Sequence, residues 1–158
     1  MRKSLFIAFA ALLTSTMGRA DNGTTVPEAT DGVGCFVSLT TPEYPKAALE
    51  AHVDGSVWTW TEVSPAGVPG KIEMQVVSAW SQAEEMLKAP VEKAIHASLV
   101  KPECAGRKVW VVFRYQLHGD AIAAPKVTSR VENPNVLWIE SEPAIAPTTA
   151  AGKVPVKR

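Results

Sequence analysis

The stretch Gly55 to Val63, GSVWTWTEV, alternates without a break. Successive strand residues project to opposite faces, so Val57, Thr59, Thr61 and Val63 share one side and Trp58 and Trp60 the other. A second stretch, RKVWVVFRYQL, behaves the same way. Val109, Val111, Phe113, Tyr115 and Leu117 lie on one face; Trp110, Val112, Arg114 and Gln116 lie on the other. Between them, KIEMQVVSAW puts Ile72, Met74 and Val76 on one side. The turn-rich SPAGVPG, residues 64–70, links the first and middle runs as an antiparallel hairpin. In the first strand small β-branched residues stand against two tryptophans, and the sequence must bury one of the two faces.

Helical signals flank the strands. Pro45 stands where a first-turn proline is tolerated and good helix formers follow, which predicts a short helix from about Pro45 to His52. Ser81 and Glu84 make an S-x-x-E capping-box pattern. Leu87, Val91, Ala94, Ile95, Ser98 and Leu99 then recur at helical spacing. Pro90 falls inside that pattern, so a loose turn is expected before it and a firm helix after it.

The amino terminus carries Arg2 and Lys3, an apolar run from Leu5 to Leu13, and small residues at Gly18 and Ala20. This reads as a secretory signal peptide cleaved after Ala20. An uncleaved anchor needs about 20 apolar residues to cross the hydrocarbon, and this run is shorter. Cleavage removes three cations and leaves 13 Lys and Arg against 16 Asp and Glu, a net charge of −3. Dispersed cations and a net negative charge argue against a nucleic-acid partner. No second apolar segment is long enough to predict a stable membrane span.

Cys35 and Cys104 remain after cleavage, and an even count in an exported chain predicts a disulfide. Residues 21–41 are polar, lack periodicity and read as a flexible lead-in. Residues 119–158 read as a tail rich in Pro and Ala. Within it Val136 to Glu140 could form a strand, bracketed by Pro134 and Pro143.

The run YPKAALEAHVDGSVWTWTEVSPAG is similar to the opening of the TonB carboxy-terminal domain family, with Tyr44, Pro45, Ala48, Gly55, Val57, Val63 and Gly67 carrying the match. PVEKAIHASLVKPECAGRKVWVVFRYQL resembles the family's second helix, Pro-containing loop and last strand, through Ala94, Pro102, Gly106, Val109, Val111, Tyr115 and Leu117. The resemblance covers residues 42–118. It implies an α+β fold, with a three-stranded antiparallel sheet and two helices on one face, in the order helix, strand, strand, helix, strand. It also implies that the Val57 face meets the helices. Trp58, Trp60 and Trp110 would then lie on the open face, with Val112, Arg114 and Gln116 beside them as a partner-binding surface. The alternatives are that the tail covers this face through Leu137, Trp138 and Ile139, or that the strand is flipped and the tryptophans are core.

Energy-transducing members of that family work in the periplasm and pair a sheet edge with a segment of an outer-membrane receptor. This chain departs from them in lacking a long membrane anchor and a long Pro-rich spacer; residues 21–41 span about 70 Å at most. The expected function is therefore a periplasmic TonB-like adaptor that binds a partner segment by strand addition, in the setting of TonB-dependent transport. The alternative is a structural or homodimeric cell-envelope protein with an unrelated partner. If the sheet order is second, first, third, the last strand has a free edge, to be filled by Val136 to Glu140 or by a partner.

No enzyme is expected. His52, His96 and His118 show no metal-ligand spacing, and no nucleophile elbow, phosphate loop or H-E-x-x-H motif occurs. Glu62 and Glu73 could face each other across the hairpin, as a solvated pair. No cofactor and no metal are expected. Intact-mass analysis of the protein expressed with its leader should give an amino terminus at Asp21; recovery of Met1 in membrane pellets would contradict export.

Overall fold

The architecture follows from which strands found partners. The structure is a computed structural model and describes residues 30–132 and 134–147. The elements are β1 (Thr30–Asp31), β2 (Phe36–Ser38), α1 (Lys46–Glu50), β3 (Gly55–Val63), β4 (Pro69–Val77), α2 (Ala83–His96), β5 (Leu99–Val100), β6 (Lys108–Leu117), β7 (Thr128–Glu132) and β8 (Val136–Ser141). Short 3-10 turns occupy Val33–Cys35 and Pro102–Cys104. The fold is α+β, with a mixed main sheet in the order β4-β3-β6-β8-β7 and β1 beside β6. β2 and β5 form a separate two-stranded ladder.

The expected hairpin is present, with Val57 opposite Val76, Thr59 opposite Met74 and Thr61 opposite Ile72. Ser64 and Gly67 close its turn: the Gly67 N–H donates to the Ser64 carbonyl at 2.9 Å, and Gly67 takes a positive φ of 76°. β3 also pairs antiparallel with β6, so the second, first, third order holds for the first three long strands. Val57, Thr59, Thr61 and Val63 are buried, together with Val109, Val111, Phe113 and Tyr115. Both helices pack on this face, because Ala48, Leu49, Ala83, Leu87, Val91 and Ile95 belong to the same buried cluster. The Thr59 hydroxyl donates to the Val111 carbonyl at 2.9 Å, which satisfies a polar group in the middle of the core.

β6 is the strand on which the rest is assembled. One edge carries β3; the other is filled by β1 opposite Val109 and Trp110, then by β8 opposite Val112 to Leu117, both parallel to β6. Asn135 joins the two. The Gly32 N–H donates to its side-chain oxygen at 2.6 Å, and its carbonyl accepts the Val112 N–H at 2.8 Å. A Cβ on Gly32 would sit 1.6 Å from the Trp110 carbonyl oxygen, so only glycine lets the chain turn away here.

Cys35 and Cys104 form the expected disulfide, with Cα atoms 5.7 Å apart. It ties the two 3-10 turns beside the β2–β5 ladder. In the chain-entropy model, closing a loop of this size stabilises the fold by roughly 4 kcal/mol.

Four expectations are corrected. The lead-in is not flexible throughout: from Thr30 it forms β1, a turn and β2, and Cys35 and Phe36 are buried. The leader, its cleavage site and residues 21–29 lie outside the described residues. α2 runs unbroken through Pro90, so the proline removes one donor without ending the helix. Burial of Leu87 on one side of it and of Val91, Ala94 and Ile95 on the other holds both halves to the sheet. The capping box is not formed, since Gln82 is the N-cap and makes no side-chain cap bond. Residues 119–147 are more than a tail: the expected strand at Val136 to Glu140 forms and fills the free edge of β6, and Thr128 to Glu132 adds a strand that was not expected. They contribute β7 and β8 to the sheet, and the Ala144 N–H then donates to the Leu49 carbonyl at 3.1 Å.

Tyr44 and Tyr115 meet edge to face, with ring centroids 5.0 Å apart. The Tyr44 hydroxyl donates to the Val53 carbonyl and the Tyr115 hydroxyl to the Glu43 carbonyl. Burial, aided by nearby negative charge, holds both phenols well above their ordinary value. Unfolded tyrosine ionises near pH 10, so above that pH the folded chain keeps protons the unfolded chain gives up. The resulting stabilisation is complete below about pH 10 and declines as pH rises. Because the chain has only 2 tyrosines, absorbance at 295 nm should stay flat past pH 10 and rise together with loss of tertiary circular dichroism. A tyrosinate transition near pH 10 in the folded protein would refute the buried pair.

Candidate functional site

The face of the sheet opposite the helices carries Trp58, Trp60, Trp110 and Trp138, four of the chain's 5 tryptophans. Alternation puts them there. With Val57, Thr59, Thr61 and Val63 drawn into the core, Trp58 and Trp60 must point outward. Trp60 stands opposite Trp110, and Trp58 opposite Val112. The Trp58 and Trp110 rings stack, 5.9 Å apart and 18° from parallel. This arrangement excludes the flipped strand.

Among the described residues, Leu137, Trp138 and Ile139 do not pack over this face, contrary to that alternative. β8 joins the sheet instead of lying over it, so Leu137 and Ile139 turn into the core and Trp138 extends the open face. One rung then crosses five strands as Val77, Ser56, Arg114, Trp138 and Arg130. The Arg114 guanidinium lies 4.6 Å from the Trp138 ring centroid and that of Arg130 lies 4.4 Å from it. The Trp138 N–H donates to the Glu132 carboxylate. Arg130 is ion-paired, to Glu140 at 3.2 Å and to Glu132 at 3.7 Å. Arg114 forms no ion pair among the described residues.

The six residues expected to form a partner surface do share this face, in different states. Trp58, Arg114 and Gln116 are exposed, Trp60 and Trp110 are half-buried, and Val112 is buried beneath its neighbours. Trp138, Arg130, Glu132 and Glu140 belong to the same surface and were not anticipated. Their signal is the hairpin TSRVENPNVLWIES, in which Asn133-Pro134-Asn135 separates two alternating runs. Glu62 and Glu73 do not form a facing pair. Glu73 stands opposite Trp60 and binds Lys108 at 2.7 Å and Lys71 at 3.0 Å, which hold its carboxyl below the usual range.

Around Ser56 the face dips into a cleft of about 380 Å³, bordered by Asp54, Val77, Arg114, Gln116 and Trp138. The cleft exists because serine is the small member of a rung otherwise made of large side chains. A second groove, about 430 Å³, lies on the other side of the molecule between Thr40–Glu43 and the Pro90 region of α2. Among the described residues, no group of three His, Cys, Asp or Glu side chains is placed to hold a metal ion. None of the described helices is long and apolar enough to cross a membrane.

β6 has no free edge: of its two expected occupants, Val136 to Glu140 fills it as β8, which leaves no place there for a partner segment in this conformation. Among the described residues the outer edges of the main sheet are β4 and β7. All five residues of β7 are exposed.

No protein-family model, curated protein or solved structure matches this chain.

Trp138 is held by two guanidinium stacks, each worth about 0.5–1 kcal/mol at an exposed site. A double-mutant cycle of Trp138→Leu and Arg130→Leu, measured by urea unfolding, should return a coupling of about that size. Strict additivity would show that the stack contributes nothing.

Proposed function

We propose that this chain is an exported, periplasmic protein-binding module that takes an extended partner segment at the open face and outer edge of its sheet. The observation that carries the reading is the continuity of the exposed β7 strand with the tryptophan face. The edge offers unpaired backbone groups, and the adjoining face offers stacked rings flanked by charges. A strand added beside β7 gains backbone hydrogen bonds. Its alternate side chains would fall next to Arg130 and Trp138. Aromatic and arginine side chains are the groups that concentrate binding energy at interface centres. The disulfide and the leader-like first 20 residues support an oxidising, exported setting. The resemblance to TonB carboxy-terminal domains suggests a role beside TonB-dependent outer-membrane transport, through an edge other than the one that resemblance implies.

A second reading, a dimeric envelope protein, is favoured by one observation: β8 already occupies the β6 edge that a partner segment would have used. In-cell photocrosslinking from Thr128, on β7, separates the two. An adduct with a different protein, reduced at least tenfold by Trp138→Ala, is expected from the first reading. An adduct between two copies of this chain supports the second. Absence of any adduct overturns both.

A further inference from the structure

The Arg114 guanidinium is the unusual group of this surface. It lies over the Trp138 ring, and Arg114 and Arg130 stand on the two strands that flank Trp138. Arg130 is neutralised by two carboxylates, whereas Arg114 pairs with none among the described residues. Two guanidiniums on one indole repel each other, and only one of them has its charge compensated in place. The unpaired one borders the cleft over Ser56. Contact with the ring restricts the guanidinium, which reduces the ordering cost of bidentate carboxylate binding.

The remainder of the cleft restricts the ligand further. Asp54 lines it as well, so a dianion is disfavoured and a hydrogen-bond donor is favoured at that end. Gln116 and Ser56 add neutral donors and acceptors, and Val77 and Trp138 supply apolar walls. A carboxylate with an amide N–H a few bonds away matches this set of groups.

We infer that the cleft binds the carboxylate end of an acyl amino acid or peptide, with Arg114 clamping the carboxylate and Asp54 accepting the amide N–H. The inference rests on the reading of this face as the binding surface, and names what one end of it recognises. Two peptide sources present such a carboxylate: a chain terminus and an acidic side chain.

The test is an NMR titration of the full-length protein at constant, low ionic strength, following the Arg114 side-chain N–H and the Trp138 indole N–H. N-acetylalanine supplies the terminal carboxylate and N-acetylglutamate α-amide the side-chain one. N-acetylalanine amide and sodium chloride are the controls. A saturable shift with either acid, absent with both controls, supports the site and identifies the source. Arg114→Gln should weaken binding at least about tenfold, as expected for loss of a charge-assisted pair. Arg114→Lys, which keeps the charge and loses the fork, should fall between. Unchanged Ile139 and Val57 amide shifts establish that each variant is folded. Equal shifts with acid and chloride, or unaltered binding in Arg114→Gln, overturn the inference. If the Thr128 adduct survives Arg114→Gln but not Trp138→Ala, the binding-surface reading stands and the carboxylate clamp alone falls.

Discussion

The hydrogen-bonded ladders on both edges of β6 are the constraint on which the rest of the structure depends. A strand buried on one face and paired on both edges leaves almost no backbone group to water, so its neighbours are held in register. β3 sets one edge and brings the hairpin and both helices with it. β1 and β8 share the other edge and anchor what precedes and follows the first three long strands. Asn135 sits where they meet and satisfies backbone groups of both Gly32 and Val112. The disulfide reinforces the same arrangement from the side, linking the turn after β1 to the turn before β6.

The separation of the two sheet faces follows from that register. A one-residue slip would exchange the Val57 face for the Trp58 face, setting two bulky indoles and the Glu62 carboxylate where small buried side chains now pack. Thr59 and Thr61 make the core face look polar on paper. Thr59 is nonetheless accommodated, because its hydroxyl finds the Val111 carbonyl across the strand. The tryptophans, excluded from the core, cover one another instead. Stacking of Trp58 on Trp110 and of two arginines on Trp138 reduces the apolar area left to water while keeping flat surfaces available. The same arrangement stabilises the fold and would serve the proposed recognition, and Arg114, without an ion pair among the described residues, is where the two separate.

Periodicity and turn chemistry determined the local elements of this chain. The alternation in GSVWTWTEV and KVWVVFRYQL, the turn around Gly67, the helix after Pro45 and the pairing of two cysteines were all legible, because each depends on residues near in sequence or on a count. The face that enters the core was anticipated through the resemblance, and the order of β4, β3 and β6 was posed only as a condition. Tertiary structure decided the rest. Pro90 stayed helical because burial on both sides outweighs one lost hydrogen bond. The lead-in became β1 because β6 had an edge to fill. Val136 to Glu140 was legible as a strand for that edge, but its parallel pairing as β8 and the addition of β7 were settled by Leu137 and Ile139 gaining burial inside the sheet. The Arg114–Trp138–Arg130 stack draws on three strands, and no local pattern reports a rung whose members meet only after parallel and antiparallel pairing have both been chosen.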